Sequence, residues 1–223
     1  MNKNFKKIIV VCGHYGSGKT NFAVNLALHL KTPENRVAVC DLDIVNPYFR
    51  AADAKKILED KGIYCLIPEF ANSNVDIPSV PGELNSFFMK DSPYDYAIID
   101  VGGDEGAVVL GMYQPKIAER GYDMIYVVNQ YRPLTADPSD AADLLRDIES
   151  VSRLKCTDIV NNSNLGAETE RDDIIDSKNY ADEVCAKTSL PLLCTSYIET
   201  DSVKIDDGER AYFRMTNVTK QIF

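Results

Sequence analysis

Gly13-His-Tyr-Gly-Ser-Gly-Lys-Thr20 matches the pattern G-x-x-x-x-G-K-[ST] at every fixed position. It directly follows the apolar segment Ile8–Cys12 and precedes the amphipathic segment Asn21–Leu30. A strand, a glycine-rich loop and a helix in this order are typical of a phosphate-binding loop, in which backbone N–H groups surround an anion. This stretch predicts an α/β protein that binds a nucleotide.

The residues of this loop have distinct predicted roles. Its glycines allow backbone conformations and close approaches that a Cβ would obstruct, and the helix that follows presents its positive end to the phosphates. Lys19 is expected to reach the β- and γ-phosphate oxygens, and Thr20 to offer its hydroxyl to Mg²⁺. The predicted nucleotide-binding residues of the loop are Gly13, Gly16, Ser17, Gly18, Lys19 and Thr20.

Apolar runs of strand length alternate with helical segments along the chain. The predicted strands are Ile8–Cys12, Val37–Cys40, Ile63–Ile67, Tyr96–Ile99, Met124–Val128, Asp158–Val160 and Leu190–Cys194. The predicted helices are Lys19–Lys31, Ala51–Lys61, Glu83–Lys90, Glu105–Arg120, Asp137–Val151 and Thr169–Thr188, with one or two short helices between Asp201 and Ile222. Continuous apolar strands are typical of sheets covered on both faces. We therefore predict one domain over residues 1–223, with a mostly parallel sheet between helices and the ligand at the carboxyl ends of the strands.

Acidic residues follow two of these predicted strands. Asp100 ends the apolar run Tyr96–Ile99, which is the position of a Walker B acid that binds Mg²⁺ directly or through water. Asp41 and Asp43 come just after the second strand and suit contacts to metal and water. The alternatives are a helix-capping role for Asp100 and an Asx-rich turn for the other two.

Composition limits the classes of partner. The chain has 24 basic and 34 acidic residues, hence a net charge of −10. Nucleic acid is an unexpected partner, because binding to it relies on a basic surface. No apolar run is long enough to cross a bilayer, and no membrane anchor or signal segment is expected. The six cysteines form no C-x-x-C pair, so the sequence predicts reduced thiols in a cytoplasmic protein.

A proline-rich stretch, Pro68–Pro81, interrupts the regular pattern. Prolines stop helices and central strands, and a long loop in a compact domain is often functional. The segment Asn72–Asp76 offers three polar side chains for a small molecule or a protein partner. A plain surface connection is the alternative.

The motifs together resemble the MinD/ParA/CobQ/CobB group of nucleotide-binding domains, within the signal-recognition, MinD and BioD class of P-loop NTPases. The resemblance rests on the glycine loop, the Asp41-Leu-Asp43 segment and Ile98-Ile-Asp100-Val-Gly-Gly103, and continues through Val127–Pro133 and Ile159–Asn162. It implies an ATP- and Mg²⁺-dependent hydrolase, with Lys19, Asp43 and Asp100 as catalytic residues.

The same resemblance assigns further roles. Thr20, Asp41 and Asp100 would hold the metal, and Asp43 would orient the attacking water. Asn161 matches a position that reads the adenine edge, and its neighbour Asn162 is a second candidate for contact with the nucleotide.

One position departs from the pattern. Where MinD- and ParA-like members carry a signature lysine that reaches into the partner subunit of a nucleotide-sandwich homodimer, this chain has His14. A neutral imidazole carries no fixed positive charge, which argues against the dimer-driven mechanism. Arg132 is an alternative source of positive charge.

The sequence favours ATP over GTP. Guanine recognition in P-loop GTPases uses an aspartate three residues after the asparagine or threonine that ends the strand, and here that position is Asn164. An asparagine both donates and accepts hydrogen bonds, which matches the adenine edge.

Three functions remain open from the sequence. The first is an ATPase that acts as a nucleotide-driven switch. The second is an enzyme that phosphorylates a small-molecule carboxylate, as dethiobiotin synthetase and the cobyrinic acid diamide synthetases do on this fold. The third is a nucleotide-bound regulator without turnover.

Overall fold

Eight strands form one sheet in the described part of the chain, and every neighbouring pair is parallel. In chain order they are β1 (Ile8–Cys12), β2 (Val37–Asp41), β3 (Tyr64–Leu66), β4 (Tyr96–Asp100), β5 (Tyr122–Val128), β6 (Asp158–Asn161), β7 (Leu192–Ile198) and β8 (Tyr212–Met215). Their order across the sheet is β3-β2-β4-β1-β5-β6-β7-β8. Strand β1 therefore lies where the order reverses, which is the usual ligand position in an open parallel sheet.

This computed structural model describes residues 3–42, 47–66, 82–205 and 211–218, with the backbone alone at 47–53, 82 and 103–105. Asp43, the loop Pro68–Pro81 and its segment Asn72–Asp76 lie outside the described residues, so their predicted roles remain predictions.

Helices cover both faces of the sheet. They are α1 (Lys19–Leu30), α2 (Pro47–Asp60), α3 (Gly82–Phe88), α4 (Gly103–Arg120), α5 (Pro138–Ser152), α6 (Arg171–Asp176) and α7 (Lys178–Thr188). Alternate residues of β1 enter opposite cores: Ile8 and Val10 pack with α3, α4, α5 and α7, whereas Ile9 and Val11 pack with α1 and α2. Burial on both faces explains the continuous apolar strands, and the predicted three-layer α/β architecture is confirmed.

The predicted helices after Asp201 are wrong where the chain is described. Tyr212–Met215 instead forms β8, which pairs in parallel with β7. Phe213 and Met215 are buried while Arg214 between them is exposed, which is the two-residue period of a strand. The segment is extended because its apolar side chains cover helix α1.

Strand β8 also explains the burial of α1. Asn25 of this helix bonds the backbone of Thr216 twice, with Nδ2 donating to the carbonyl at 2.9 Å and Oδ1 accepting from N–H at 2.8 Å. Phe22 meets the Phe213 ring edge-to-face at 5.8 Å. The helix predicted as amphipathic is therefore largely buried, with Lys19–Ala27 all covered.

The single predicted helix Thr169–Thr188 is divided into α6 and α7. The division falls at Ser177, which is fully buried. Its hydroxyl donates to the Ile174 carbonyl at 2.7 Å and accepts from the Asn161 amide at 2.8 Å. The break in the helix thus provides a hydrogen-bond partner for a polar residue at the end of β6.

No helix among the described residues has the length and apolarity needed to span a bilayer.

We expect Phe213→Ala to lower the free energy of unfolding by about 3–5 kcal/mol, because it removes a buried ring that packs on α1. Arg214→Ala on the same strand is the matched control, and we expect it to cost less than about 1 kcal/mol because its side chain is exposed. Chemical denaturation measures both. Equal effects at the two positions would contradict the strand assignment.

Candidate functional site

The glycine loop Gly13–Gly18 joins β1 to α1 in a space too narrow for larger residues. A Cβ on Gly13 would lie 2.5 Å from the Val127 carbonyl oxygen. Gly18 precedes α1 in the left-handed region, with φ of 83°, and a Cβ there would overlap the Asn162 amide. Both positions require glycine because neighbouring strands crowd the loop backbone.

The Asn162 side chain holds the backbone of this loop. Its Nδ2 donates to the Ser17 carbonyl at 2.7 Å, and its Oδ1 accepts from the Ser196 hydroxyl at 2.8 Å. All three side chains are buried. A relay of hydrogen bonds therefore runs from β7 through the end of β6 to the phosphate loop.

Lys19 and Thr20 begin helix α1 directly after the loop, and both side chains are largely buried. The Ser17 hydroxyl is fully buried and has no hydrogen-bond partner among the described residues. An unpartnered buried hydroxyl is costly, and such an atom in a phosphate-binding loop is consistent with a ligand site.

The predicted metal ligands meet at one edge of the sheet. Asp41 ends β2 and Asp100 ends β4, and the two residues are direct partners in the parallel register. Thr20 lines a small pocket together with both of them. Asp100 is 2% exposed, so its carboxylate lies in a poorly solvated place.

Mg²⁺ fits the chemistry of these residues. Two carboxylates and one hydroxyl offer the hard oxygen donors that this ion prefers, and it usually retains several waters as well. Within the described residues no group of three or more His, Cys, Asp and Glu side chains forms a metal cage. The donor set therefore suits an ion that is shared with phosphate oxygens rather than a closed structural metal site.

The thiols beside these acids are poor nucleophiles. Burial, followed by the charge of Asp41, raises the pKa of the Cys40 thiol well above its ordinary value. Burial is also the main cause that raises the pKa of Cys65 to about 12. Both remain protonated at neutral pH, and all six cysteines are free thiols. Cys65 is half-buried, whereas Cys12, Cys40 and Cys194 are buried.

A second opening lies on the other side of the glycine loop. We name it the base cleft, after the nucleotide base that the sequence predicts beside Asn162. Its volume of about 340 Å³ is in the range of small-molecule sites. It is lined by Gly18, Asn21, Asn162, Asn164, Gly166, Ala167, Thr169, Ile198, Thr200, Val203, Met215 and Asn217. No carboxylate, lysine or arginine belongs to this lining in the described part of the chain.

Asn161 lies beside this base cleft but outside its lining. The side chain is fully buried, with Nδ2 donating to the Ser177 hydroxyl and Oδ1 accepting from the Ser163 hydroxyl at 2.7 Å. Its amide therefore bonds within the protein. Asn162 and Asn164 are the strand-end amides that line the cleft.

The His14 ring bonds the backbone of the glycine loop. Its Nδ1 lies 2.7 Å from the Tyr15 carbonyl oxygen, which can only accept, so Nδ1 carries the proton. The ring is half-exposed, beside the strongly exposed Tyr15.

The sequence did not single out Asn129 or Ser196 as individual site residues. Asn129 is fully buried after β5, with Nδ2 donating to the Asn164 carbonyl at 3.2 Å and Oδ1 accepting from the Tyr131 N–H at 2.9 Å. Both residues support the loops that carry the site. Their sequence signal is weak: Asn129 is a polar residue directly after an apolar strand, and Ser196 lies within β7.

No protein-family model matches the chain, and no curated protein does. Solved structures do match. Chloroplast FtsY from Physcomitrella patens superposes with a TM-score of 0.59 at 13% identity, over 92% of this chain and 63% of that one. The signal recognition particle receptor FtsY from Elizabethkingia anophelis in complex with GDP superposes with a TM-score of 0.53 at 15% identity, over 88% and 58%.

A third similar structure is a nucleotide-binding protein from Archaeoglobus fulgidus in complex with ADP, with a TM-score of 0.54 at 16% identity, over 90% of this chain and 82% of that one. The chain spans less than two thirds of the two FtsY chains. At these identities the similarity shows the fold, which is the three-layer α/β fold of P-loop NTPases.

We expect Asn162→Leu to lower the free energy of unfolding by about 1–3 kcal/mol, because it leaves the Ser17 carbonyl without its donor. Asn217→Leu, at an exposed position of the same cleft, is the control and should change stability by less than about 0.5 kcal/mol. Urea denaturation followed by circular dichroism measures both. Equal stability of the two variants would show that Asn162 does not hold the loop.

Proposed function

We propose that this protein is a Mg²⁺-dependent ATPase of the MinD/ParA/CobQ/CobB group that acts as a nucleotide-driven switch. The observation that carries the proposal is the meeting of the glycine loop, Thr20, Asp41 and Asp100 at the carboxyl edge of one parallel sheet. A triphosphate bound in the loop would lie beside both acids. The fold shared with proteins that bind GDP and ADP supports a nucleotide as the ligand.

The base cleft supports adenine as the base. Its strand-end polar side chains are Asn162 and Asn164, and its lining in the described residues contains no carboxylate. Each of these amides uses its oxygen and one N–H within the protein, Asn162 with Ser196 and Ser17 and Asn164 with Gly166 and the Asn162 carbonyl, and keeps a second N–H for the base. Guanine presents two adjacent N–H donors that a carboxylate satisfies, whereas adenine presents a donor and an acceptor that an amide matches.

The proposed mechanism assigns one task to each group. The loop N–H groups and Lys19 stabilise the charge that spreads over the γ-phosphoryl oxygens. Thr20, Asp41 and Asp100 would hold Mg²⁺, which would neutralise phosphate charge. Asp43 orients the attacking water, and the two aspartate segments change conformation when the γ-phosphate is lost.

We expect ATP to bind about 10- to 100-fold more tightly than GTP in the presence of Mg²⁺, because guanine would leave polar groups unpaired in the base cleft. Isothermal titration calorimetry with both nucleotides measures the ratio. Tighter binding of GTP would contradict the proposed base.

A matched variant tests the cause of this preference. Asn164→Asp introduces a carboxylate at the spacing used for guanine, and it retains an oxygen that accepts from the Gly166 N–H. We expect the ratio of ATP to GTP affinity to fall in this variant. An unchanged ratio would show that Asn164 does not face the base.

We expect Asp43→Ala to lower the rate of ATP hydrolysis by at least about 100-fold while ATP affinity changes little, because water orientation acts on the chemical step. Phosphate release and calorimetry separate the two quantities. Asp91→Ala removes an exposed carboxylate that has no assigned role in the site, and this control variant should hydrolyse ATP as the wild type does. Normal turnover in the Asp43 variant would remove this residue from the mechanism.

A further inference from the structure

Arg132 lies against the glycine loop from the end of β5. Its Nε donates to the Gly16 carbonyl oxygen at 2.9 Å. A Cβ on Gly16 would lie only 3.2 Å from Nε and 3.3 Å from Cζ, so the guanidinium packs closely on this glycine. The side chain is half-buried. An arginine that is 116 residues away in sequence is thus part of the wall of the phosphate loop.

Several hydrogen bonds fix the turn that carries Arg132. Its N–H donates to the Asn129 carbonyl at 3.2 Å, and its own carbonyl accepts from the Thr135 N–H at 2.9 Å. The Thr135 hydroxyl also donates to the Asn129 carbonyl at 2.9 Å, and the Tyr180 hydroxyl donates to the Thr135 carbonyl at 2.6 Å. The position of the guanidinium is therefore set by the fold around it.

A neutral donor is enough to hold a carbonyl of this loop. The adjacent carbonyl, that of Ser17, is held by the neutral amide of Asn162. Within the described residues, the two Nη groups of Arg132 donate no hydrogen bond, and no carboxylate lies within ion-pair distance. Only the Nε–H of this half-buried guanidinium is engaged. Its two Nη groups, which lie in one plane and bind oxyanions well, remain as donors.

The order of strands places Arg132 between the base cleft and the acids at the ends of β2 and β4. Strand β5, which precedes Arg132, lies next to β1 on the side away from Asp100, and β6, which precedes Asn162, follows it. A nucleotide that extends from the base cleft to the acids of β2 and β4 must cross the glycine loop, with Arg132 beside it.

We propose that Arg132 binds the phosphate chain of the nucleotide within its own subunit, with Nε fixed on Gly16 and both Nη groups donating to phosphate oxygens. The inference rests on the proposed nucleotide site and adds a ligand to it. It provides positive charge from the same chain at a site where His14 stands in the position of the signature lysine.

The experiment compares ATP, ADP, AMP and adenosine on the wild type and on Arg132→Gln by calorimetry. We expect the variant to lose about 10- to 100-fold in ATP affinity, since hydrogen bonds to charged groups are the strong ones. The loss should decrease from ATP to AMP and be absent for adenosine, and ATP binding should depend less on salt. A residue that only supports the loop would affect all nucleotides similarly and leave the salt dependence unchanged.

Arg153→Gln is the matched control. Arg153 also donates from its guanidinium to a glycine carbonyl, that of Gly111 in α4, far from the phosphate loop along the chain. We expect this variant to bind ATP as the wild type does. An equal loss of ATP affinity in both variants would overturn the inference.

A measurement on the unmodified protein does not depend on folding of a variant. Phenylglyoxal reacts with free guanidinium groups, and peptide mass spectrometry reports modification of Arg132 and Arg153 separately. We expect ATP and inorganic tripolyphosphate to protect Arg132 and not Arg153. Lack of protection by both ligands would overturn the inference, whereas protection without ATP hydrolysis would contradict the proposed ATPase and leave the phosphate contact intact.

Discussion

The structure depends on how side chains hold the carbonyl groups of the glycine loop. Asn162 and Arg132 donate to two consecutive carbonyl oxygens, those of Ser17 and Gly16, from the ends of β6 and β5. A glycine-rich loop has high conformational entropy, and fixing it costs free energy before any ligand binds. Two strand-end donors offset part of that cost, so the loop is partly organised for an anion by the sheet beneath it.

This support explains why the site extends across several strands. Each strand of a parallel sheet ends at the same edge, so residues distant in sequence become neighbours there. The Asn162 amide donates to the Ser17 carbonyl of the glycine loop and accepts a hydrogen bond from the Ser196 hydroxyl of β7. The same side chain lines the base cleft. The base cleft and the phosphate loop therefore share one side chain, and a change in the position of this residue affects both.

The parts of the fold that were predictable have local causes. The glycine loop and the acids at strand ends can be recognised in the sequence, because few other structures place these residue types at this spacing. Strand β8 was not predictable, because Tyr212–Met215 gives only one alternation and its apolar side chains are explained by their contact with α1. Nor does sequence reveal what each amide contacts: Asn161 and Asn162 are adjacent, yet the first bonds Ser177 and the second supports the loop.

Electrostatics connects the two halves of the site. The chain carries a net charge of −10, and Asp41 and Asp100 are adjacent partners at the sheet edge. A triphosphate placed beside two carboxylates is repelled unless cations intervene, and Coulomb energies are larger where burial lowers the effective dielectric constant. Lys19 at the start of α1 and Arg132 on the wall of the loop are positive groups that the fold holds near this edge. Because the loop contributes only partial charges, these side chains and the proposed divalent ion would have to carry most of the compensation for a bound triphosphate. Removing any one of them would then increase the repulsion that the others must balance.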